Sequence, residues 1–312
     1  MAGEAELKHR QFLWPSNGQP CPIDRVLRES LVGASWSFCR RLIETGKVSV
    51  AGVVVTDPRC VVCPNDEVEI NPRAARPEHR SLEIVRLVHH DAQIVVADKP
   101  SGISTVAFDP NERGTFDELV RRALGRLSNQ RMPPLGIVHR IDKETSGLVI
   151  FARTTGAKRH LKQQFRFHTN HRAYLALASG YVQSRKITTR IVADRGDGRR
   201  GSTDHAKLGQ LATTHVDVVD RYVDATLVRC RLETGRTHQI RIHLAEAGHP
   251  LLGERVYGNR SGRSARQVPR LMLHAAELGF VHPTREVRLD FVSELPADFA
   301  MVIEQLRLAT KV

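Results

Sequence analysis

A polar loop around Asp142 is the first place in the chain where the residue types suit chemistry. The loop, HRIDKETSG, interrupts two short apolar runs that are typical of strands, at residues 136–139 and 147–151. A carboxylate mounted between two rigid strands suits a nucleophile, or a charge that stabilises a cationic intermediate. The alternative is a polar turn in which Asp142 only accepts backbone N–H groups, Thr145 acts as a cap and Gly147 takes a positive φ. The residues alone leave both interpretations open.

A second cluster, GRTHQIRIH, supplies a candidate partner for that carboxylate. Residues 237–247 have helical spacing, and with Thr237 as the N-cap, Arg241 lies one turn below it. An arginine that faces a buried aspartate keeps the carboxylate ionised and lowers its pKa by about 1 to 3. The alternative is a surface ion pair, which contributes little.

The elements that must position these clusters lie in residues 82–312. Strands are predicted at residues 94–97, 136–139, 147–151, 172–181, 187–192, 213–219, 225–232, 271–278 and 285–290, and helices at 115–127, 156–167, 237–247 and 296–308. Strands outnumber helices without strict βαβ alternation. We therefore expect an α+β fold in which helices flank a large mixed or antiparallel sheet.

A small α/β module is predicted ahead of this domain. Two short helices, at residues 24–31 and 37–44, precede strand-like alternation at 47–55 and 67–70. Residues 73–81 lack periodicity and contain a proline, which is typical of a linker. The predicted parts are an N-terminal extension, the module, the linker and the large domain, at residues 1–21, 22–72, 73–81 and 82–312.

The charge of the chain indicates an acidic partner. The 312 residues carry 47 Lys and Arg against 34 Asp and Glu, a net charge of +13, and 38 of the 47 are arginines. Residues 121–200 hold 14 Arg and 4 Lys against four acids, so their net charge of +14 accounts for the whole surplus. A localised basic surplus predicts a face that binds a polyanion. The alternative is an arginine-rich proteome with a solvated surface.

Composition excludes several other classes of protein. No apolar run approaches the ~20 residues that cross a bilayer, so no membrane segment is expected. Five sparse cysteines suit reduced thiols, and the N-terminal residues lack the apolar run of a secretory signal, so a cytoplasmic protein is expected. The pair Cys60 and Cys63 has no second pair at zinc spacing, and no metal is expected.

Several strings together resemble a known family. VVADKPSGIST at residues 95–105, HRIDKETSG, RAYLALASG, GRTHQIRIHLAEAGHPLLGERVYG and LMLHAAELGFVHP resemble the RluA-type pseudouridine synthases in order and spacing, over residues 82–300. Residues 22–72, with CPIDRVLRE, RRLIETGKVSVAG and DEVEI, resemble the S4 RNA-binding module that many members carry at the amino end. The resemblance implies the pseudouridine synthase fold and an isomerase that acts on RNA.

The resemblance also implies roles for individual residues. Asp142 would be the catalytic carboxylate, Arg241 the arginine that pairs with it, and Tyr174 the tyrosine that packs on the target base and takes part in proton transfer. Arg140 would hold the flipped-out RNA, and Ile240 would line the base pocket. The other expected contacts are Thr145 and His238 with the substrate, and Arg40, Arg41 and Lys47 of the S4-like module with RNA.

Three residues depart from the family pattern. Ile141 and Ile240 stand where leucine is common, and Glu254 stands where aspartate often precedes the Tyr-Gly pair. We expect none of these departures to touch the carboxylate chemistry.

The expected reaction is the isomerisation of specific uridines in structured RNA. It breaks the C1′–N1 bond, rotates the freed uracil, joins C5 to C1′ and releases the C5 proton, so no cofactor is required. The target base must leave its stack, and contacts between the basic segment and phosphates offset that cost. A second RNA-binding element favours ribosomal RNA of the large subunit, free or in ribosomal precursor particles, over transfer RNA. A monomer is the default expectation.

The main alternative is a non-catalytic RNA-binding or ribosome-assembly protein that retains the fold. Such a protein needs the basic face but has no use for a carboxylate within it. A carboxylate-dependent hydrolase is less favoured, because no second catalytic acid is identified near the motif.

Overall fold

The computed structural model describes residues 9–15, 17, 19–74, 85–109, 112–257 and 268–310. The chain forms two compact units, Met1–Ser81 and Leu82–Val312, and each is described here by itself. Residues 1–8 of the predicted extension and residues 75–81 of the predicted linker lie outside the described residues.

The first unit is a small α/β module. Its elements are β1 (Arg10–Leu13), β2 (Cys21–Pro22), α1 (Ile23–Ser30), α2 (Trp36–Glu44), β3 (Val48–Val50), β4 (Val53–Val55), β5 (Val61–Val62) and β6 (Glu67–Ile70). A four-stranded antiparallel sheet has the order β1-β6-β3-β4, and β2 pairs separately with β5. Both predicted helices are confirmed. The sequence does not predict β1 and β2, because they are too short to show a period.

The second unit is built on an eleven-stranded sheet. Its strands are β7 (Arg86–His90), β8 (Ile94–Lys99), β9 (Gly136–Ile137), β10 (Ser146–Ala152), β11 (His171–Ser179), β12 (Arg185–Val192), β13 (Gly201–Thr203), β14 (Gln210–Arg221), β15 (Ala225–Leu232), β16 (Leu273–Val281) and β17 (Arg288–Val292). Its helices are α3 (Phe116–Ser128), α4 (Thr155–Arg166), α5 (Gln239–Glu246) and α6 (Ala297–Thr310).

The sheet is mixed. Its strand order is β13-β12-β14-β15-β11-β16-β10-β8-β7, with β9 paired to β10 and β17 paired to β16. Strand β10 runs parallel to β16 and antiparallel to β8 and β9. The other paired strands run antiparallel. The expected α+β architecture is therefore confirmed, and β7 and β13 are additions to the predicted strands.

Apolar side chains cover both faces at the centre of this sheet. Phe116 of α3 and Ile240 of α5 pack in one cluster with Phe151 of β10. Leu161 of α4 packs with Ile150, the neighbouring residue on β10, in a second cluster. Because successive strand residues point to opposite faces, β10 is covered on both sides and is buried along its whole length. A rigid, buried strand thus leads out of the Asp142 loop.

Candidate active site

The Asp142 loop is fastened to the segment that follows β8. Lys99, at the end of β8, is 1% exposed. Its Nζ donates to the carbonyl oxygens of Pro100 (2.9 Å), Ile103 (2.8 Å) and Lys143 (3.1 Å). Three acceptors match the three protons of an ammonium group. Burial lowers the pKa of Lys99 to about 7.

Further hydrogen bonds hold the loop on both sides of Asp142. The Gly102 N–H donates to the Lys143 carbonyl oxygen (2.7 Å). The Thr105 hydroxyl donates to the Ile141 carbonyl oxygen (2.7 Å), and its Oγ1 accepts the Ile141 N–H (3.2 Å). The string VVADKPSGIST therefore positions the backbone that carries the carboxylate.

The loop ends at a close approach between β10 and β16. Gly147 has a φ of +113°, and a Cβ on it would lie 2.3 Å from the carbonyl oxygen of Ala275, so only glycine fits there. The Thr145 N–H donates to the carbonyl oxygen of Asp142 (3.1 Å). The turn and the positive φ at Gly147 that the alternative interpretation predicts are thus present. The Asp142 carboxylate also lies 3.7 Å from the guanidinium of Arg241.

Helix α5 begins two residues later than the sequence predicts. Its first residue is Gln239, and its N-cap is His238, with a φ of 59° in the left-handed region. Gln239 fixes this start, because its Nε2 donates to the Thr213 carbonyl oxygen (3.0 Å) and its Oε1 accepts the Arg236 N–H (3.0 Å). The expected cap at Thr237 is wrong, since His238 takes the N-cap position and Thr237 precedes it.

Arg241 is shared among three carboxylates. Its Nε and Nη2 donate to the two carboxylate oxygens of Glu254, at 2.7 and 2.8 Å. Its Nη1 lies 3.7 Å from Asp142 Oδ2 and 3.8 Å from Glu144 Oε2. Burial opposes the charge of Arg241, but the charges of Glu254, Asp142 and Glu144, with the hydrogen bonds to Glu254, together outweigh burial and hold the pKa of the guanidinium above its ordinary value. Glu254 therefore accepts the hydrogen bonds of Arg241, whereas Asp142 interacts with Arg241 only through its charge.

Glu254 is a residue of the site to which the sequence analysis gave no role. The expectation that this departure does not touch the carboxylate chemistry is wrong, because Glu254 binds the arginine beside Asp142. The N–H groups of Val256 and Tyr257 donate to Glu254 Oε1, at 2.8 and 3.3 Å, and hold it in place. The only signal in the sequence is an acid in GERVYG, 13 residues after Arg241, a separation that no local period connects.

The environment raises the pKa of Asp142 from its ordinary value. Burial is the largest cause, the charge of Arg241 opposes it, and the charge of Glu254 adds to it. The expected lowering of this pKa is wrong, because burial outweighs the charge of Arg241 and the charge of Glu254 adds to the rise. Asp142 is 21% exposed, so the carboxylate stays within reach of a substrate.

His238 and Tyr257 complete the cluster around Asp142. His238 Nε2 lies 4.0 Å from Asp142 Oδ1, and His238 Nδ1 lies 2.7 Å from the Tyr257 hydroxyl. The guanidinium of Arg241 lies over the Tyr257 ring, 5.4 Å from its centroid. Tyr257 is a second residue that the sequence analysis missed.

Tyr174 and Ile240 lie in the apolar cluster next to the carboxylate. Both side chains are buried and share that cluster with Ile141. Burial raises the pKa of the Tyr174 phenol, the charge of Arg172 opposes the rise, and Asp142 adds to it. The phenol is therefore protonated at neutral pH, beside an apolar wall.

Arg140 and Thr145 differ in exposure. Arg140 is exposed, and its charge lowers the pKa of Asp142. Thr145 is 1% exposed, and its Oγ1 has no hydrogen-bond partner among the described residues. The expected substrate contacts of both residues stay predictions.

The three RNA contacts expected in the S4-like module lie in the first unit. Arg40 and Arg41 are exposed on α2, and Arg40 Nε lies 3.0 Å from Asp24 Oδ2. Lys47 is half-buried, and its Nζ donates to the Ala74 carbonyl oxygen. Their contacts with RNA stay predictions.

Neither a metal centre nor a membrane span is found in the part of the chain that the structure describes. No group of three or more His, Cys, Asp or Glu side chains there is arranged to hold a metal ion. No helix there has the length and the apolar composition needed to cross a bilayer.

Comparison with known families and curated proteins gives consistent matches. The RNA pseudouridylate synthase family matches residues 93–246, and the S4 domain matches residues 21–68. Ribosomal large subunit pseudouridine synthase D of Zymomonas mobilis is 33% identical over 310 residues, which cover 93% of this chain and 95% of the relative. The protein of the same name from Vibrio parahaemolyticus is 34% identical over 307 residues, which cover 93% and 92%.

Solved structures share the fold of the larger unit. Human RNA pseudouridylate synthase domain containing 4 superposes with a TM-score of 0.60 and 24% identity, over 71% of this chain and 93% of its own. Human RNA pseudouridylate synthase domain containing 1 has a TM-score of 0.54 and 23% identity, over 74% and 97%.

Proposed function

The chain belongs to the RluA-type family of RNA pseudouridine synthases and carries an N-terminal S4 domain, and on this premise we propose that it isomerises uridines of large-subunit ribosomal RNA with Asp142 as the catalytic carboxylate. The family makes the chain an isomerase. The observation that carries the role of Asp142 is its surroundings: a backbone fastened by Lys99, a charge partner in Arg241 and the buried phenol of Tyr174 nearby.

Asp142 supplies negative charge where positive charge develops. When the C1′–N1 bond breaks, N1 leaves with the electron pair and C1′ becomes electron-poor. A carboxylate beside the sugar stabilises that charge, as carboxylates do in glycosidases. C5 of the rotated uracil then bonds to C1′, C5 gives up its proton, and N1, which left with the electron pair, takes up a proton. The Asp142 carboxylate is partly buried, and burial disfavours its charged form and raises its pKa.

Tyr174, Ile240 and Ile141 hold the detached uracil. Their side chains form an apolar wall beside Asp142, and the protonated phenol gives that wall one polar atom. An aromatic ring against the uracil keeps the base from escaping while no bond joins it to the sugar. His238 and Arg140 adjoin the carboxylate from α5 and from the loop, where they meet the sugar and the flanking backbone.

Ribosomal RNA of the large subunit is the proposed substrate for two reasons. Relatives that match the chain over nearly its whole length carry the name ribosomal large subunit pseudouridine synthase D. The S4 domain adds a second RNA-binding element, in which Arg40, Arg41 and Lys47 are the proposed contacts. Two elements suit a folded RNA with separate contact regions, either free or within a ribosomal precursor particle.

Pseudouridine mapping tests the substrate. Large-subunit ribosomal RNA and transfer RNA are mapped from cells that lack the gene and from cells complemented with the wild type. We expect one or more pseudouridines of the large-subunit RNA to disappear and to return on complementation. Loss from transfer RNA alone would contradict the substrate, and no loss at all would support the non-catalytic alternative. Complementation with Asp217→Asn, an exposed carboxylate on β14 that pairs with Arg231, serves as the control and restores the modification.

A further inference from the structure

Arg172 is a buried cation without an anion. It lies on β11, is 8% exposed, and its Nε is enclosed with no hydrogen-bond partner among the described residues. No carboxylate of the described chain forms an ion pair with its guanidinium. Arginine keeps its charge in proteins, and a buried, unpaired charge costs free energy unless a ligand binds it.

The surroundings of Arg172 pack against its guanidinium without supplying an anion from the described residues. One face lies over the Phe165 ring, 5.2 Å from the centroid. A Cβ on Gly235 would lie 2.5 Å from Nη1 of Arg172, so the missing side chain at Gly235 makes room for the guanidinium. The amide of Asn170 lies two residues earlier, is 8% exposed, and has no partner for either Nδ2 or Oδ1 among the residues that the structure describes. Two unsatisfied polar groups therefore follow each other along the chain.

Arg172 lies close to Tyr174. The two residues are two positions apart on β11, which corresponds to about 7 Å along the strand. The charge of Arg172 affects the Tyr174 phenol, so the two side chains are close in space as well. Asn170 precedes the first residue of β11.

Positive charge is concentrated around this position. Burial lowers the pKa of His168, and the charges of Arg172 and Arg236 lower it further, while Glu233 opposes them. Glu233 is occupied by other partners, because its Oε1 accepts hydrogen bonds from Lys186 and His215. An anion that enters here meets the cations Arg172 and Arg236, while the charge of the nearest acid, Glu233, is partly balanced by Lys186 and His215.

The geometry points to a phosphate subsite in which Arg172, assisted by Asn170, binds one backbone phosphate of the RNA next to the flipped uridine. The guanidinium donates N–H groups to the phosphate oxygens, and the Asn170 amide adds a donor. The phosphate supplies the charge that the protein omits, and it fixes the sugar of the target nucleotide relative to Tyr174 and Asp142. This inference rests on the proposed function, because it needs RNA in the site.

A charge-deletion cycle tests the subsite. A synthetic RNA fragment with the mapped uridine carries a single uncharged methylphosphonate, placed in turn at each linkage around the target. Its dissociation constant is measured in the Asp142→Asn background, which prevents conversion, with Arg172 intact and with Arg172→Met. We expect one linkage next to the target at which the methylphosphonate weakens binding about 10-fold when Arg172 is present, and has no effect after Arg172→Met.

Arg221→Met is the matched control. Arg221 also lies over an aromatic ring, that of Tyr181 at 4.5 Å, but both side chains are exposed on the surface. With this variant the methylphosphonate keeps its full effect at the same linkage. Additive losses with Arg172→Met at every linkage would overturn the subsite. If inorganic phosphate then raises the melting temperature of the wild type but not of Arg172→Met, the group binds free phosphate instead, and the proposal also fails.

Stability separates binding from a structural role. Because Arg172→Met removes an unpaired buried charge, the RNA-free variant should unfold at the same or a higher urea concentration than the parent. A lower midpoint would mean that Arg172 holds the fold, and would contradict the proposal. If Arg172→Met fails to fold, the cycle is run with Arg172→Lys, for which a reduced methylphosphonate effect is expected. If the protein modifies uridine but the methylphosphonate effect does not depend on Arg172, only the subsite is contradicted. If the protein modifies no RNA, the proposed function is contradicted.

Discussion

The guanidinium of Arg241 is divided unequally among three carboxylates, those of Glu254, Asp142 and Glu144. Glu254 receives both hydrogen bonds, and Asp142 lies 3.7 Å away without one. A fully paired Asp142 would be a stable anion with little tendency to interact with a developing cation. Held beside a shared arginine that favours its charged form, the carboxylate makes no hydrogen bond to that arginine and remains available to the sugar.

Glu254→Gln tests this division through the pH profile. The negative charge of Glu254 raises the pKa of Asp142, so its removal lowers that pKa. Activity is lost as the pH falls through the pKa of Asp142, so the acid limb of kcat/KM should move to lower pH in the variant. Loss of a partner for the buried Arg241 should also lower the free energy of unfolding, by about 3 to 5 kcal/mol in urea titrations.

Glu254→Asp is the control, because it keeps the charge beside Arg241. It should retain the acid limb of the wild type. An acid limb that stays in place in Glu254→Gln would show that Glu254 does not influence Asp142.

At the scale of elements, the site depends on the junction of β10 and β16. These strands run parallel over a short stretch, and the chain between β9 and β10 carries Asp142. Gly147 permits the approach, and the ammonium of Lys99 holds the loop against the end of β8. The carboxylate is therefore positioned by backbone contacts from elements that are distant in sequence.

Gly147→Ala should break this junction. The added Cβ would lie 2.3 Å from the Ala275 carbonyl oxygen at a backbone φ of +113°, so one strand must move. We expect a loss of about 3 kcal/mol or more in the free energy of unfolding, together with loss of activity. Gly156→Ala, in the first turn of α4 with open space around it, is the control and should be neutral or stabilising by about 0.5 to 1 kcal/mol. Similar urea midpoints for the two variants would contradict this role of the junction.

The sequence predicts most of these elements but not the details of the site. The sequence pattern identifies the strand that becomes β10, a short apolar run buried along its whole length, and the helix that becomes α5, whose residues 239–244 are all buried. The sequence pattern does not reveal that His238 adopts a left-handed φ, which is uncommon for a residue other than glycine. The start of the helix at Gln239 is held by the hydrogen bond from Gln239 to the Thr213 carbonyl oxygen. The sequence pattern also does not pair Glu254 with Arg241, because that contact exists only after the chain has folded.

At the scale of the molecule, the charge distribution is asymmetric. The net +14 of residues 121–200 includes α4, where exposed cations follow one another along the surface. The same segment contains Asp142 and Tyr174, so the most basic part of the chain also carries the proposed catalytic groups. Long-range attraction then brings RNA to the region in which one uridine is processed.

Charge reversal on α4 tests this account. A triple variant with Arg159→Glu, Lys162→Glu and Arg166→Glu changes three exposed side chains of the helix. Its affinity for ribosomal RNA should fall, and the slope of log Kd against log salt should decrease by about 0.7 to 0.9 for each phosphate that the helix no longer neutralises. Arg285→Glu, an exposed residue outside the basic segment, should leave the slope unchanged. An unchanged slope in the triple variant would exclude α4 from the RNA interface.

The most direct test of the central claim is the release of tritium from C5-labelled uridine in large-subunit ribosomal RNA by the wild type and by Asp142→Asn. The account predicts that the variant loses activity by about 10³-fold or more. The folded state raises the pKa of Asp142, so at any pH above the ordinary pKa of an aspartate the ionisation of this group opposes folding. The neutral variant should therefore be at least as stable as the wild type at pH 7. A folded Asp142→Asn variant that releases tritium at the wild-type rate would contradict the assignment of Asp142 as the catalytic carboxylate.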